Sequence, residues 1–438
     1  MSTLNIVQNG THKNTMIGHA YDGKQQHVIT PSLHEREASI MFNPVTSGPG
    51  STHRCDYNLS LDDEFNLNEL YLEFEFENLN AVLTQNIKNP WLLFSFIKIL
   101  INNQEVIYYD SAEKIYCAAS MYYRQFTNNE LRREMLKLFP TNFSVSAGET
   151  IPVSSTRLFS LPIFHICPWL KNISRQQGVS RLSIEFGWVP NTNTTDSIGR
   201  FILSSTTNNA YTSATVKFNN VQLHISSTKH TDPSLRSIAS PIMVIPSFEI
   251  RSYDQSWNSN TDQRRVQISQ EYSAHNLCHG ILVYGYNKAA VTAYNDADAM
   301  KIDSQSSLFG FNVKYKSRDI INYPAVNDVN KRNQYLLDVH EKRYGKFNNA
   351  LIDTSQGDDG LYWVPLTLID LQSVDIHDND TVNGYSGLSN QGSEIELIIT
   401  NAKSGGTHST DMRLNVVLCY YSIVTLDAKS GIVSRKNI

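Results

Sequence analysis

The absences in this chain narrow its function before anything else does. No two of its five cysteines form a CxxC pair; Cys55, Cys117, Cys167, Cys278 and Cys419 are far apart and odd in number. That usage suits reduced thiols in a cytosolic setting better than a secreted disulfide framework. The longest apolar stretch, Trp91 to Ile101, is short and interrupted by Ser95 and Lys98, so it cannot span a bilayer. Met1 to Asn14 is polar, with no basic region leading into an apolar run, and the expectation is a chain without a signal peptide. Asn142-Phe143-Ser144 and Asn172-Ile173-Ser174 match glycosylation sequons, but without an export route they read as polar turns. Basic charge is also in short supply. Lys plus Arg total 37 against 42 Asp plus Glu, a net charge of −5, so nothing draws the chain as a whole to phosphate and direct nucleic-acid binding is not expected. No glycine-rich phosphate loop, nucleophile elbow or Ser/His/Asp spacing occurs.

What the chain does have is length and alternation. At 438 residues it exceeds one ordinary hydrophobic core, and its 40% hydrophobic and 10% aromatic content suffices for packed cores rather than disorder. Leu70, Leu72, Phe74 and Phe76 alternate with Tyr71, Glu73, Glu75 and Glu77. Leu182, Ile184 and Phe186 alternate in the same way, as do Val221, Leu223 and Ile225, then Ile395, Leu397 and Ile399, then Leu414, Val416, Leu418 and Tyr420. A period of two places one face of a strand in a core and the other outside it. Short strands separated by polar, Asn-rich connections read as β-sandwiches. Helices are few: one from the N-cap Ser111 to about Phe126, a short one over Asn129 to Leu138 stopped by Pro140, and one from Asp328 to about Tyr344.

The elements repeat with a period near half the chain. The strand Phe96 to Ile101, the segment Asn103 to Tyr108 and a helix are matched by Phe309 to Tyr315, Ser317 to Tyr323 and a helix. Leu158-Phe159-Ser160-Leu161-Pro162-Ile163 is matched by Leu361-Tyr362-Trp363-Val364-Pro365-Leu366. Leu182 to Phe186 pairs with Ile395 to Ile399, and Val216 to Ile225 with Met412 to Tyr421. Five strand segments in one order, twice, predict two similar all-β domains. The expected boundaries are an N-terminal arm over 1–37, a first domain over 38–227, a linker over 228–240 containing Pro233, a second domain over 241–426 and a tail over 427–438. The alternating strands are expected to begin near Arg54.

This organisation resembles the double jelly-roll major capsid proteins of icosahedral double-stranded DNA viruses. The resemblance rests on the strand–turn–strand–helix of Ile97 to Ile107, the Leu-Pro-Ile strand at Leu161 to Ile163, the strand Arg181 to Phe186, and the recurrence of the set, over roughly Met41 to Val424. The absence of very long insertions points to a compact, virophage-like or polinton-like member. The resemblance implies two tandem jelly-roll sandwiches per chain and a homotrimer whose rolls form a pseudo-hexagonal unit. It implies contacts with neighbouring trimers and with minor capsid or penton proteins, and a place in the virion after assembly inside the host cell. It also implies loops such as Ala289 to Ser306 and Asn348 to Gly360 on the outside, and an N-terminal arm that could reach an inner membrane.

Three constellations could carry chemistry. Glu73-Phe74-Glu75-Phe76-Glu77 is similar to the carboxylate run of jelly-roll glycoside hydrolases. Positions i and i+4 of a regular strand lie roughly 13 Å apart, however, against about 5–5.5 Å for a retaining pair, so a solvated outer face is the expectation. His275-Asn276-Leu277-Cys278-His279 offers three potential ligands without a second cluster to complete a zinc site. Asp375-Ile376-His377-Asp378-Asn379-Asp380 lacks the Gly and closing Glu of a calcium loop. Tyr108, Tyr109, Tyr122 and Tyr123 suit packing better than a binding platform. No catalytic, cofactor-binding or metal residue is therefore assigned. The expected function is a non-enzymatic major capsid protein; the alternatives are a carbohydrate- or receptor-binding sandwich and, behind it, a glycoside hydrolase.

Overall fold

A computed structural model gives the architecture. The structure describes residues 32–40, 47–58, 64–82, 85–87, 90–125, 149–167, 170, 178–190, 214–230, 242–255, 263–268, 277–278, 280–287, 309–315, 317–323, 361–365, 388–389, 395–401, 412–427 and 430–437. The predicted helices over Asn129 to Leu138 and Asp328 to Tyr344 lie outside these residues, as do the expected outer loops.

Eight strands build the first half: β1 (Ser32–Ile40), β2 (Thr52–Asn58), β3 (Glu64–Asn78), β5 (Phe94–Ile101), β6 (Gln104–Tyr109), β8 (Thr156–Pro162), β9 (Arg181–Trp188) and β10 (Val216–His230). They form two antiparallel sheets, β1-β10-β3-β8 and β2-β9-β5-β6. The second half uses β11 (Ile242–Gln255), β12 (Gln263–Ile268), β14 (Gly280–Asn287), β15 (Phe309–Tyr315), β16 (Arg318–Tyr323), β17 (Leu361–Pro365), β19 (Ile395–Asn401) and β20 (Met412–Leu426). Its sheets run β11-β20-β14-β17 and β12-β19-β15-β16. Strand for strand, the order is the same. Short pairs β4 (Gln85–Ile87) with β7 (Glu149–Ile151) and β13 (Leu277–Cys278) with β18 (Leu388–Ser389) lie off these sheets. This is the all-β, eight-strand arrangement of a jelly roll, present twice.

The duplication extends to local irregularities. In the β5–β6 hairpin the pairing slips between Ile99 and Leu100, and in β15–β16 it slips between Val313 and Lys314. Each slip inserts one extra residue at the same distance from a two-residue turn. Asn102 and Asn103 take φ of 52° and 65°, and Ser317 takes 64°, the left-handed conformations that match the twist of a tight hairpin.

Alternation becomes burial. Leu72, Phe74 and Phe76 are fully buried on β3, as are Leu223 on β10 and Phe186 on β9. Their rings meet across the sheets: Phe74 packs edge-on against Phe94 and Trp188, and Trp188 stacks on Phe218 at 3.7 Å with the planes 4° apart. Such aromatic pairs add to the area they bury. Helix α1 (Ala112–Gln125) begins as expected, with Lys114 N donating to Ser111 Oγ. It packs on β5 and reaches β11 of the second roll. One apolar cluster therefore runs through both rolls, taking in Ile245, Phe248, Val417, Cys419, Val424 and Leu426 along with the first roll's core. All five cysteines are buried, and burial, with Asp56 adding to it, pushes the Cys55 thiol up to about 12.

Strands run past two of the expected boundaries. The region read as an arm ends earlier, because β1 starts at Ser32 and pairs with β10 from Ser32–His230 to Ile40–Gln222. Strands thus begin well before Arg54. β1 is a sheet edge, and edge strands carry charged residues that blunt further pairing, so Ser-Leu-His-Glu-Arg-Glu hides its alternation. β10 extends to His230, into the expected linker. The expected tail holds a strand: β21 (Val433–Asn437) pairs antiparallel with β20 from Leu426–Val433 to Ser422–Asn437.

Candidate assembly surfaces

The carboxylate row lies on β3, whose pairing with β8 is regular from Tyr71–Pro162 to Glu77–Thr156. With no bulge in that stretch of β3, Glu73 and Glu77 keep the spacing of an extended strand, roughly 13 Å. Their neighbours on β10 occupy them: Asn219 Nδ2 donates to Glu77 at 2.7 Å and Asn220 Nδ2 to Glu75 at 2.8 Å. His224 Nε2 stands 3.4 Å from Glu73, with its ring stacked on Tyr71. The bulge sits instead on β10, between Asn219 and Gln222. This face is a polar sheet surface on which Glu73 and Glu77 stand too far apart for a retaining pair.

The outer face of β2-β9-β5-β6 is a charge ladder. Arg54 Nε donates to both Asp56 oxygens at 2.9 Å, and Arg54 NH1 to Glu185 at 2.7 Å. Arg181 approaches Asp56 at 3.1 Å, and the Ser183 hydroxyl donates to it. Burial pushes the Asp56 carboxyl up, but the hydrogen bonds from Ser183, Arg181 and Arg54 outweigh it and hold the group below the usual range. Farther along, Glu105 lies between Lys98 at 3.7 Å and Arg435 at 3.2 Å. Half-exposed pairs of this kind contribute little stability. They fix which surface this face can complement.

The other candidates separate. Tyr109 is buried and its hydroxyl donates to Ile166 O at 2.9 Å, whereas Tyr108 is exposed with Lys98 Nζ 5.8 Å from its ring. Tyr122 and Tyr123 sit on α1, with side chains outside the described residues. Cys278 is buried on β13; His275, His279 and Asp375 to Asp380 lie outside the described residues. Among the described residues no group of three or more His, Cys, Asp or Glu could hold a metal ion, and no helix is long and apolar enough to cross a membrane.

The decisive observation is at the scale of the whole chain. A chain of the PBCV-1 virus capsid, in a quasi-atomic model, superposes with a TM-score of 0.58 at 10% identity, covering 94% of this chain and 99% of that one. The Sputnik virophage structure gives 0.53 at 9% identity over 97% and 94%. The mavirus major capsid protein gives 0.52 at 9% identity over 95% and 93%. The chain is a double jelly roll. By sequence no family model and no curated protein matches it. At 9–10% identity the shared property is the fold, carried by strand order and by the period-two core.

The two rolls of this double jelly roll are packed as one body. Tyr109 on β6 meets Phe248 on β11 at 5.9 Å. Asn102, at the first roll's β5–β6 turn, donates through Nδ2 to Gly431 O at 2.6 Å and Gly178 O at 2.7 Å. Its Oδ1 accepts from Ser180 N at 2.7 Å and Arg181 N at 3.2 Å. Sequence reasoning missed Asn102 as a junction residue. The Asn-Asn pair between two alternating runs signals a tight hairpin, but nothing local shows that its amide spans two domains.

Proposed function

We propose that this chain is a major capsid protein that assembles as pseudo-hexagonal trimers and tiles an icosahedral virus shell. The observation that carries the reading is the repetition of one eight-strand roll twice in a body joined by a shared apolar cluster, coextensive with known major capsid proteins. Two like rolls per chain and three chains supply six similar wedges, which closed rotational symmetry turns into a near-hexagonal tile. The charge-laddered and polar outer faces suit many fixed, moderate contacts rather than a reactive site. Neighbouring trimers are the main partners, with minor capsid or penton proteins at special positions. Residues before β1 supply a tether beneath the shell, to neighbours or to an inner membrane. The working location is the virion.

The test is direct. Light scattering of the purified chain should give three times 49.6 kDa, roughly 150 kDa, because trimers of this kind depend on large, partly apolar interfaces. Electron microscopy should then show shells or hexagonal arrays. A monomer at micromolar concentration with no arrays at any salt overturns the reading. Saturable sugar binding by such a monomer would favour the binding-module alternative.

A further inference from the structure

β20 is paired along one whole side by β11, but its other side is divided. β14 covers Met412 to Cys419, and β21 covers Ser422 to Leu426. In the first roll the single long strand β3 does both jobs on β10, its residues Glu64, Phe65 and Asn66 pairing with Thr228, Ser227 and Ser226. β10 and β20 are both 15 residues long. Matched through the strand pairings past the β10 bulge, Ser226 to Thr228 correspond to Tyr421 to Ile423, where the pairing with β21 begins. The C-terminal strand therefore stands where the shorter β14, 8 residues against 15 for β3, does not reach.

Its seat is built from both rolls. Gly431 O accepts from Asn102 of the first roll, and Val433 packs against the shared core. Arg435 pairs with Glu105 of the first roll at 3.2 Å and donates to Ser422 Oγ at 3.3 Å. Asn437 Oδ1 accepts from Ser422 Oγ at 2.8 Å. Val433, Arg435 and Asn437 are two apart, as one face of a strand requires, and Gly431 contributes its backbone carbonyl from the preceding turn. The turn is closed by Asp427 N to Ile432 O at 2.9 Å and Gly431 N to Asp427 O at 2.8 Å.

We propose that β20, Asn102 and Glu105 form a strand-binding groove that recognises the extended pattern Gly-x-Val-x-Arg-x-Asn, and that the chain's own residues Asp427 to Asn437 occupy it as a clasp between the rolls. Backbone pairing gives such a groove its affinity and alternate side chains its selectivity. Asn102 is a positioning residue. Its φ of 52° could be met by glycine, so the turn alone does not require the amide. In sequence, the position matched to Asn102 in the second half is Lys316. On the capsid reading, the clasp fixes the angle between the two wedges of each chain.

The test needs no shell. In full-length Asn102→Gly, which keeps the turn and removes the amide, the amides of Val433 to Asn437 should exchange with solvent roughly tenfold faster. Those of Ile184 to Phe186 should stay unchanged. Faster exchange confined to residues 101–104 and 180–181 would reduce Asn102 to a local turn residue and overturn the clasp. In a second experiment, the chain ending at Leu426 should bind a labelled peptide of residues 430–438 saturably. The same peptide with Arg435→Ala should bind about three- to fivefold more weakly, since a half-exposed ion pair and a hydrogen bond to Ser422 are lost. A folded truncated protein that ignores the peptide overturns the groove; if the truncated protein does not fold, the Asn102→Gly exchange pattern decides. If the wild type fails to form trimers yet shows both results, the capsid reading falls and the clasp stands.

Discussion

The two rolls share a strand order and the position of a bulge, yet the residues at matched strand positions differ. The first is centred on rings: Phe74, Phe94, Phe186, Trp188 and Phe218 are all fully buried and in contact. In the second, the fully buried residues among those described include Leu397, Val416, Leu418 and the ring of Tyr420. Matched through the strand pairings, Trp188 corresponds to Asn401 and Phe218 to Leu414. The comparison teaches that the fold is held by pairing order, period-two burial and hairpin geometry, while the identity of the core residues is free to drift. That is also why 9–10% identity to capsid chains coexists with a common architecture.

The rolls also differ at their opening strands, and the largest expected effect breaks the comparison there. β1 is a nine-residue edge and β11 a fourteen-residue strand that lines β20 throughout. Deleting residues 2–31 should leave both rolls folded. Deleting 2–37 should sharply reduce the yield of soluble protein, because it removes six paired positions from Ser32 to Glu37 and opens the β10 edge. Expression yield and circular dichroism of the two truncations decide it; equal behaviour would show that β1 is dispensable.

Next in size is the aromatic centre. Trp188→Ala should destabilise by about 3–5 kcal/mol, the usual range for emptying a large buried ring site, read from denaturant midpoints. Because one cluster runs through both rolls, the loss should appear as one shifted transition; two separate transitions would show that the rolls fold independently. On the same strand, Gly187→Ala tests close approach. A Cβ there would lie 2.6 Å from Ser95 Oγ and 2.7 Å from Phe96 Cε1, so overpacking should cost about 1–3 kcal/mol.

The alternating runs made the strands of both cores legible from sequence, because burial on one face leaves a period of two. Ser111 was legible as a cap, and the recurrence in one order of several strands, those ending at Pro162 and Pro365 among them, revealed the duplication. β1 escaped because an edge strand is polar by necessity. β21 escaped because five residues after a turn carry no visible period, although the β-branched Val433 following Gly431 was a faint signal. The Asn102 junction could not be read at all, since it joins residues 329 apart in the chain. Its chemistry depends on tertiary placement.

A smaller effect is expected from pH. His53 is buried on β2 among Phe186 and Trp188, and burial lowers its pKa below the ordinary 6.5. Ser51 Oγ donates to Gly48 O, so the ring's Nε2 donates to Ser51 Oγ at 3.0 Å. Protonating Nδ1 would then create a buried donor with no hydrogen-bond partner among the described residues. The unfolded chain takes up this proton at higher pH than the folded one. Stability should therefore fall as pH drops below about 6.5 and level off once the folded group titrates. His53→Gln should flatten that part of a melting-temperature profile between pH 7.5 and 5; an unchanged slope would assign the dependence to other groups.

The smallest effect belongs to the carboxylate row, and its smallness is the point. The row has no matched feature on the second roll: β14, the counterpart of β3, reads Gly-Ile-Leu-Val-Tyr-Gly-Tyr-Asn, with no acidic residue. Were the row catalytic, one roll would hold an active site that its duplicate lacks, and Glu73→Gln would abolish turnover. The geometry gives the row another role. Asn219 and Asn220, brought together by the β10 bulge, each hold one of its carboxylates, and such half-exposed contacts rarely contribute more than a few tenths of a kcal/mol. Glu73→Gln, Glu75→Gln and Glu77→Gln should each shift stability by less than about 0.5 kcal/mol, because glutamine keeps an acceptor oxygen for the same amides. Trimer mass should be unchanged. Wild-type protein incubated with a β-glucan should release no reducing sugar. Release that disappears in Glu73→Gln would make the first roll an enzyme and leave its likeness to the second a matter of fold alone.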